Sequence, residues 1–295
     1  MHGSWVHAIS FRDDNIQRFA ILNTNLLCGV YSSAFFNTML LGPFQLMDLA
    51  WTYVNKHRRV FLEAVLWLVG IQMLRWALDY FGEALIPQGL LRVFIVLLLS
   101  IPIGLVYIAL KGGFIAMAND AVSGKSPSLK TGLGAGFHML ISLIWVISLV
   151  FISVIGGFIL FIIPGLIFAV YLAFAHYAVM IDNVRGIEAL KKSWRTVSGR
   201  FWQVLARLVI PNVFFAILTG IPSLIIILII GLAFNNLPLL FSVNAITDLP
   251  MMQSFLITLV TSFFAACIAP LSVMNGVILW KELQEKSKEV TKQTA

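Results

Sequence analysis

The most constraining feature of the sequence is a stretch from Phe137 to Ile181 that contains no Lys, Arg, Asp or Glu. A transmembrane helix needs about 20 mostly apolar residues, so this stretch is long enough to cross a bilayer twice. Gly156, Gly157 and Pro164 lie near its middle. Their position predicts a tight apolar turn between two spans, and hence a transmembrane helical hairpin.

The rest of the chain has the same apolar character. Of its 295 residues, 60% are hydrophobic and only 11% are charged, and the mean hydropathy is +0.94. Soluble domains carry about 25% charged residues, so this composition excludes an ordinary water-soluble fold. It predicts an all-α, polytopic transmembrane helix bundle with about six spans. We expect them at Val60–Tyr80, Leu91–Met117, Phe137–Gly157, Leu160–Ile181, Leu208–Phe234 and Met252–Trp280.

The basic residues alternate between the two ends of these spans. Eighteen of the 20 Lys and Arg residues fall on one side, and only Arg75 and Arg92 lie near the other. Because cytoplasmic loops hold the excess of Lys and Arg, the basic side is predicted to be cytoplasmic, together with both termini. The net charge of +7 is thereby explained by topology, and no nucleic-acid partner is predicted.

Three regions are expected along the chain. Residues 1–43 form an N-terminal segment, residues 44–280 a six-span membrane domain, and residues 281–295 a charged cytoplasmic tail. The segment Phe19–Leu41 is uncharged but rich in Asn, Ser and Thr. This composition favours an interfacial or bundle-packed marginal helix over a seventh span, and leaves both open.

An amphipathic pattern recurs before two of the spans. Before the fifth span, apolar residues follow one another at intervals of 3, 4, 3 and 4 residues. A similar set precedes the first span. This spacing gives one apolar stripe on a helix, which is typical of helices that lie in the headgroup plane. With a weaker copy before the third span, the fold could be three repeats of an interfacial helix plus a transmembrane hairpin. The two stripes are Met47, Trp51, Val54 and Phe61, and Ile187, Leu190, Trp194, Val197 and Phe201.

These stripes supply the candidate functional residues. A helix of this kind could be a generic linker that covers the cytoplasmic end of the bundle, or it could dock anionic lipids or a partner membrane protein. For docking, we expect aromatic side chains to enter the interface and cations to meet headgroups. The candidate contacts are Trp51, Lys56, Arg58, Arg59, Lys191, Lys192, Trp194 and Arg195. Glu63 and Arg207 are a candidate intramembrane ion pair.

Two motifs also resemble a known family. The run Ile163-Pro164-Gly165-Leu166 and the stretch Ile187-Glu-Ala-Leu-Lys-Lys-Ser-Trp194 are similar to a prokaryotic superfamily of six-helix membrane proteins. That superfamily includes the membrane domain that precedes some glycerophosphoryl diester phosphodiesterases. The resemblance covers about Pro43 to Trp280 and implies a bacterial or archaeal plasma membrane protein, with no site residues to transfer. The phosphodiesterase itself is a TIM barrel of about 250 residues, so no such activity is expected of this chain.

No catalytic, cofactor or metal motif is complete in the sequence. Gly124-Lys125-Ser126 lacks the first glycine of a P-loop, and Gly132 and Gly136 form a small-x-x-x-small pair that predicts close helix packing. Arg75 and Asp79 are four residues apart and favour an intrahelical pair. We therefore expect a non-enzymatic protein without cofactors that organises lipid or partner proteins. The alternative is a permease or lipid-handling transporter, and an embedded enzyme ranks third.

Overall fold

The described fold is entirely helical. The computed structural model of the chain describes residues 40–85, 89–235 and 249–294, and within these ranges all regular secondary structure is α-helix. Of the predicted marginal helix Phe19–Leu41, residues 19–39 lie outside the described residues. In chain order the helices are α1 (Pro43–Lys56), α2 (Arg58–Leu85), α3 (Leu90–Val122), α4 (Leu129–His138), α5 (Leu140–Leu160), α6 (Ile162–Tyr171), α7 (Ala175–Asp182), α8 (Ile187–Val197), α9 (Phe201–Ala233) and α10 (Met251–Thr294).

Six helical segments in these ranges are long and apolar enough to cross a membrane. Each overlaps one of the predicted spans, so the expectation of a six-span, all-α bundle is confirmed. The fourth span consists of α6 and α7 together. The six segments are Arg58–Gly82, Leu90–Val122, Leu140–Leu160, Ile162–Asp182, Phe201–Ala233 and Met251–Lys288.

The order of short and long helices repeats along the described residues. The short helices α1, α4 and α8 each precede a pair of spans, as the three predicted units require. The predicted tail, by contrast, does not begin at a structural boundary. Helix α10 runs without a break from Met251 to Thr294, because no Gly or Pro follows Gly276 to end it.

The hairpin in the uncharged stretch turns at Phe161. This residue is extended (φ −165°, ψ 158°) between α5 and α6. A Cβ on Gly157 would lie 2.8 Å from the Cα of Gly165, so the two helices approach each other through glycines. The tight apolar turn predicted around Gly156, Gly157 and Pro164 is therefore present.

A second glycine contact joins α3 to α4. A Cβ on Gly113 would lie 2.8 Å from the backbone oxygen of Gly132, and one on Gly136 would overlap the backbone oxygen of Ala109. The predicted packing role of Gly132 and Gly136 is confirmed. Small residues at such positions let two backbones meet where larger side chains would hold them apart.

At the break between α6 and α7, a side chain from α8 forms hydrogen bonds with the backbone. The hydroxyl of Ser193 donates to the backbone oxygen of Tyr171 (2.7 Å) and accepts from the backbone N–H of Phe174 (3.3 Å). Ser193 and Phe174 are fully buried. Non-helical backbone is tolerated inside a membrane protein where its polar groups find such partners. Helix α8 is thereby held against the break between α6 and α7.

Candidate functional site

Helix α8 is anchored to the bundle through one carboxylate. The Oδ2 atom of Asp182 accepts hydrogen bonds from Trp280 Nε1 (3.2 Å) and Gln284 Nε2 (2.7 Å), and lies 3.1 Å from Lys192 Nζ. Only 16% of the Asp182 side chain is exposed. Lys192, a predicted headgroup contact, is therefore engaged in an ion pair that joins α7, α8 and α10.

The face that α8 turns to the protein consists of small side chains: Ala189, Ser193, Thr196 and Val197. The apolar stripe lies beside this face, so that Ile187 is 60% exposed and Trp194 is 38% exposed. Small residues are needed on the protein side because Ser193 must come within hydrogen-bonding distance of the break. Helix α8 also ends at Val197 rather than continuing to Phe201, since Gly199 adopts a positive φ of 80°.

Trp194 is held in a fixed orientation by aromatic neighbours. Its ring stacks on Tyr171 with a centroid distance of 4.1 Å and an angle of 18°, and lies 5.9 Å from the ring of Phe168. Beside it is a shallow depression of about 230 Å³, lined by Leu172, Leu190, Lys191, Trp194 and Arg195. The surface of the depression is almost entirely apolar, and the side chains of Lys191 and Arg195 border it.

The two cations at this depression differ in their partners. Lys191 Nζ lies 3.3 Å from Glu188 Oε1 on the same exposed surface. Arg195 is exposed, and within the described ranges no acidic side chain lies within 4 Å of it. Among the described residues, the surface around Trp194 thus has one positive charge without an ion-pair partner, that of Arg195.

The predicted contacts on α1 form a separate surface. Trp51 is 60% exposed, and Lys56, Arg58 and Arg59 at the α1–α2 junction are also exposed. Partial burial, together with the neighbouring charge of Lys56, lowers the pKa of His57 between them. Helix α1 packs on α9 and α10, whereas α8 packs mainly on α7. In the part of the chain that the structure describes, no hydrogen bond or ion pair joins the two sets of candidates.

The structure does not bring Glu63 and Arg207 together. Arg207 donates through Nε to the backbone oxygen of Leu41 (2.5 Å) and through Nη1 to that of Gln203 (2.9 Å). Glu282 attracts the Arg207 guanidinium electrostatically, and its Oε1 accepts from the backbone N–H of Leu41 (2.6 Å). Arg207 and Glu282 therefore hold the backbone of Leu41 from both sides, while Glu63 is exposed.

The sequence analysis did not single out three polar residues that position α8 or the backbone of Leu41: Asp182, Ser193 and Glu282. Asp182 is the first charged residue after the uncharged stretch, and this was the signal that could have pointed to it. Glu282 was assigned to the charged cytoplasmic tail, although it lies only two residues after the fully buried Trp280. No group of three or more His, Cys, Asp or Glu side chains within the described ranges could hold a metal ion.

The exposed apolar surface of the spans identifies the class of protein. The most apolar window of α9 has only 6% of its residues buried inside the bundle, which exposes far more apolar surface than a soluble protein tolerates. The chain is a multi-pass α-helical membrane protein. It belongs to the family described as a domain of unknown function, DUF7847, which matches residues 38–274. No curated protein matches the chain, and no solved structure matches it either.

Proposed function

We propose that this protein is a non-enzymatic plasma membrane protein that organises anionic phospholipid at its cytoplasmic face. Helix α8 provides the principal docking surface. The observation that carries the proposal is the exposed apolar depression beside Trp194, which the side chains of Lys191 and Arg195 border. Helix α1, with Trp51 exposed beside its basic junction, offers a second surface of the same kind.

The geometry of α8 favours a lipid occupant over a purely structural linker. A linker helix would bury its largest apolar residues against the bundle, but Ile187 is 60% exposed, and Trp194 stays 38% exposed although its ring stacks on Tyr171. Amphipathic aromatic side chains favour the membrane–water interface, and each nearby Lys or Arg adds attraction to anionic lipids. The location of this surface on the basic side of the spans supports a cytoplasmic position.

The alternative is a permease or lipid-handling transporter. It would require a polar or amphiphilic path between the spans, and one observation favours it: a cavity of about 940 Å³ between α2, α3 and α10, with Trp76, Tyr80 and Thr261 in its lining. A surface organiser depends on α8, whereas a transporter depends on that cavity, so variants at the two places separate the functions.

The test of the proposal is the preference of the full-length protein for phosphatidylglycerol over phosphatidylcholine. In maltoside micelles, phosphatidylglycerol should raise the thermal unfolding temperature more than phosphatidylcholine does. The double variant Lys191→Gln/Arg195→Gln should lose most of this difference, since each cation contributes about 1 kcal/mol near an anionic surface. The difference should also shrink with added salt.

Lys125→Gln/Lys130→Gln is the matched control, because it removes two exposed cations from the same end of the bundle. It should leave the lipid preference nearly intact. An equal loss in both double variants would show a general charge effect and would refute α8 as the docking surface.

A further inference from the structure

A small polar cavity lies between α9 and α10, with one side chain of α7 in its wall. It has a volume of about 70 Å³, and its lining includes Tyr177 of α7, Asn212 of α9, and Ser272 and Asn275 of α10. Since a single water molecule needs about 10–15 Å³, the cavity has room for a polar group of several atoms.

Asn275 is the residue of this cavity that packing does not explain. Its side chain is only 7% exposed, and neither Nδ2 nor Oδ1 has a hydrogen-bond partner among the described residues. It lies six residues before Lys281 in the sixth span, which corresponds to about 9 Å along the helix. A buried polar group without a partner is costly, and inside a membrane no bulk water offsets that cost. The amide therefore indicates an occupant that both donates and accepts hydrogen bonds.

Two hydroxyl groups lie beside this amide. Ser272 is three residues before Asn275, so both side chains are on one face of α10. The hydroxyl of Tyr177 lies against the backbone at Gly276, where an added Cβ would overlap it. Glycine at this position thus allows Tyr177 to reach α10 next to Asn275. A hydroxyl can donate and accept, so the three side chains together present neutral groups of both kinds.

The charges around the cavity favour a neutral occupant. Among the described residues that line it, none is acidic, and Arg207 is the one charged side chain. The Arg207 guanidinium donates to the backbone oxygens of Leu41 and Gln203 and is attracted by Glu282. A cation would therefore lie near a guanidinium with no carboxylate beside it, and an anion would compete with the partners that Arg207 already has.

The cavity opens on the outer surface of the bundle. Asn212 is exposed at its mouth, where Nδ2 donates to the backbone oxygen of Leu208 (2.7 Å). The neighbouring Val213 and Ile217 of α9 are exposed and apolar. The mouth is therefore a polar point on a surface that otherwise suits lipid, and a ligand can enter from the bilayer.

From these observations we infer that the cavity between α9 and α10 binds the hydroxyl groups of a neutral polyol, either the glycerol head of a neutral lipid or a free polyol. The amide of Asn275 and the hydroxyls of Tyr177 and Ser272 form its hydrogen bonds. The inference does not depend on the proposed function of α8, which concerns anionic lipid at another surface.

Native mass spectrometry of the full-length protein tests this inference. The protein is released from lauryldimethylamine oxide, a detergent without hydroxyl groups. Monoolein and methyl oleate are compared, because they share an acyl chain but only monoolein carries free hydroxyls. We expect one bound copy of monoolein, with methyl oleate at least about tenfold weaker, since it cannot donate to Asn275. Displacement by glycerol at a similar concentration would identify a free polyol as the source, and its absence would identify the lipid.

Two variants locate the binding. Asn275→Leu should weaken monoolein by at least about tenfold, because a bidentate polar partner is lost. The same variant should unfold at an equal or higher temperature than the parent without ligand, since an unpartnered buried amide is replaced by an apolar side chain. A purely structural asparagine would give a lower unfolding temperature instead. Tyr177→Phe keeps the ring and should weaken binding about threefold to tenfold.

Tyr171→Phe is the matched control. It removes a hydroxyl from the same span, and Tyr171 does not line the cavity. Its affinity for monoolein should equal that of the parent, as should that of Lys191→Gln/Arg195→Gln, which separates this site from the surface of α8.

Several results would overturn the inference. Equal binding of monoolein and methyl oleate would show that the hydroxyls are not recognised. Unchanged affinity in Tyr177→Phe, which tests the site even where Asn275→Leu fails to fold, would leave water as the occupant of the cavity. Loss of monoolein when chloride replaces acetate in the buffer would indicate an anion site instead.

Discussion

Gly136→Ala is expected to destabilise the protein by about 3 kcal/mol or more, the upper part of the range for overpacked cores. The added Cβ would overlap the backbone oxygen of Ala109 and lie 2.9 Å from the backbone nitrogen of Gly113. Neither atom belongs to a flexible side chain that could move aside. Helix α4 would have to separate from α3, with loss of the packing between them.

Gly134→Ala is the matched control in the same helix. Nothing lies within 4 Å of a Cβ at Gly134, so alanine should be neutral or should stabilise the helix by about 0.5–1 kcal/mol. Reversible unfolding in mixed micelles with increasing SDS measures both changes. Equal stability of the two variants would contradict the close approach of α3 and α4.

Asp182→Ala is the second substitution with a large expected effect, about 2–3 kcal/mol of lost stability. Removal of a partner from a buried ion pair costs about 3–5 kcal/mol, and the expected value is lower here because Lys192 is 37% exposed. The substitution would also leave the N–H groups of Trp280 and Gln284 without their acceptor. Helix α8 should then loosen from α7 and α10.

Glu188→Ala is the control for this prediction, because it removes an exposed carboxylate that also pairs with a lysine of α8. The Glu188–Lys191 pair is 68% and 56% exposed, and such surface pairs contribute about 0–1 kcal/mol. The unfolding measurement should therefore show a clear loss only for Asp182→Ala. Similar small losses in both would mean that α8 is held by packing alone.

The spans and the hairpin were predictable because they depend on local composition. A run without charges, such as Phe137 to Ile181, has few alternatives to crossing the bilayer, and glycines near its middle indicate the turn. The packing role of the glycine pair in α4 was equally predictable, since the spacing of Gly132 and Gly136 places both on one helix face. These features require no knowledge of distant contacts.

The orientation of α8 could not be predicted in the same way. Periodicity identified the stripe through Trp194 but not which face meets the protein, because that depends on Ser193 reaching a break in another helix. The partner of Arg207 is also set by a distant element. Glu282 is far away in the sequence and reaches Leu41 only after α10 packs against α1.

The depth of Ile187 relative to Glu188 tests most directly whether α8 lies in the membrane interface. Successive residues of a helix are about 100° apart, so the two side chains point to different surroundings. In a background without Cys28 and Cys267, a nitroxide is attached to Ile187→Cys or Glu188→Cys of the protein in bilayers. The label at Ile187 should collide mainly with oxygen, and the label at Glu188 mainly with a water-soluble nickel complex. Equal access of the nickel complex to both positions would place α8 in water and contradict its proposed contact with lipid.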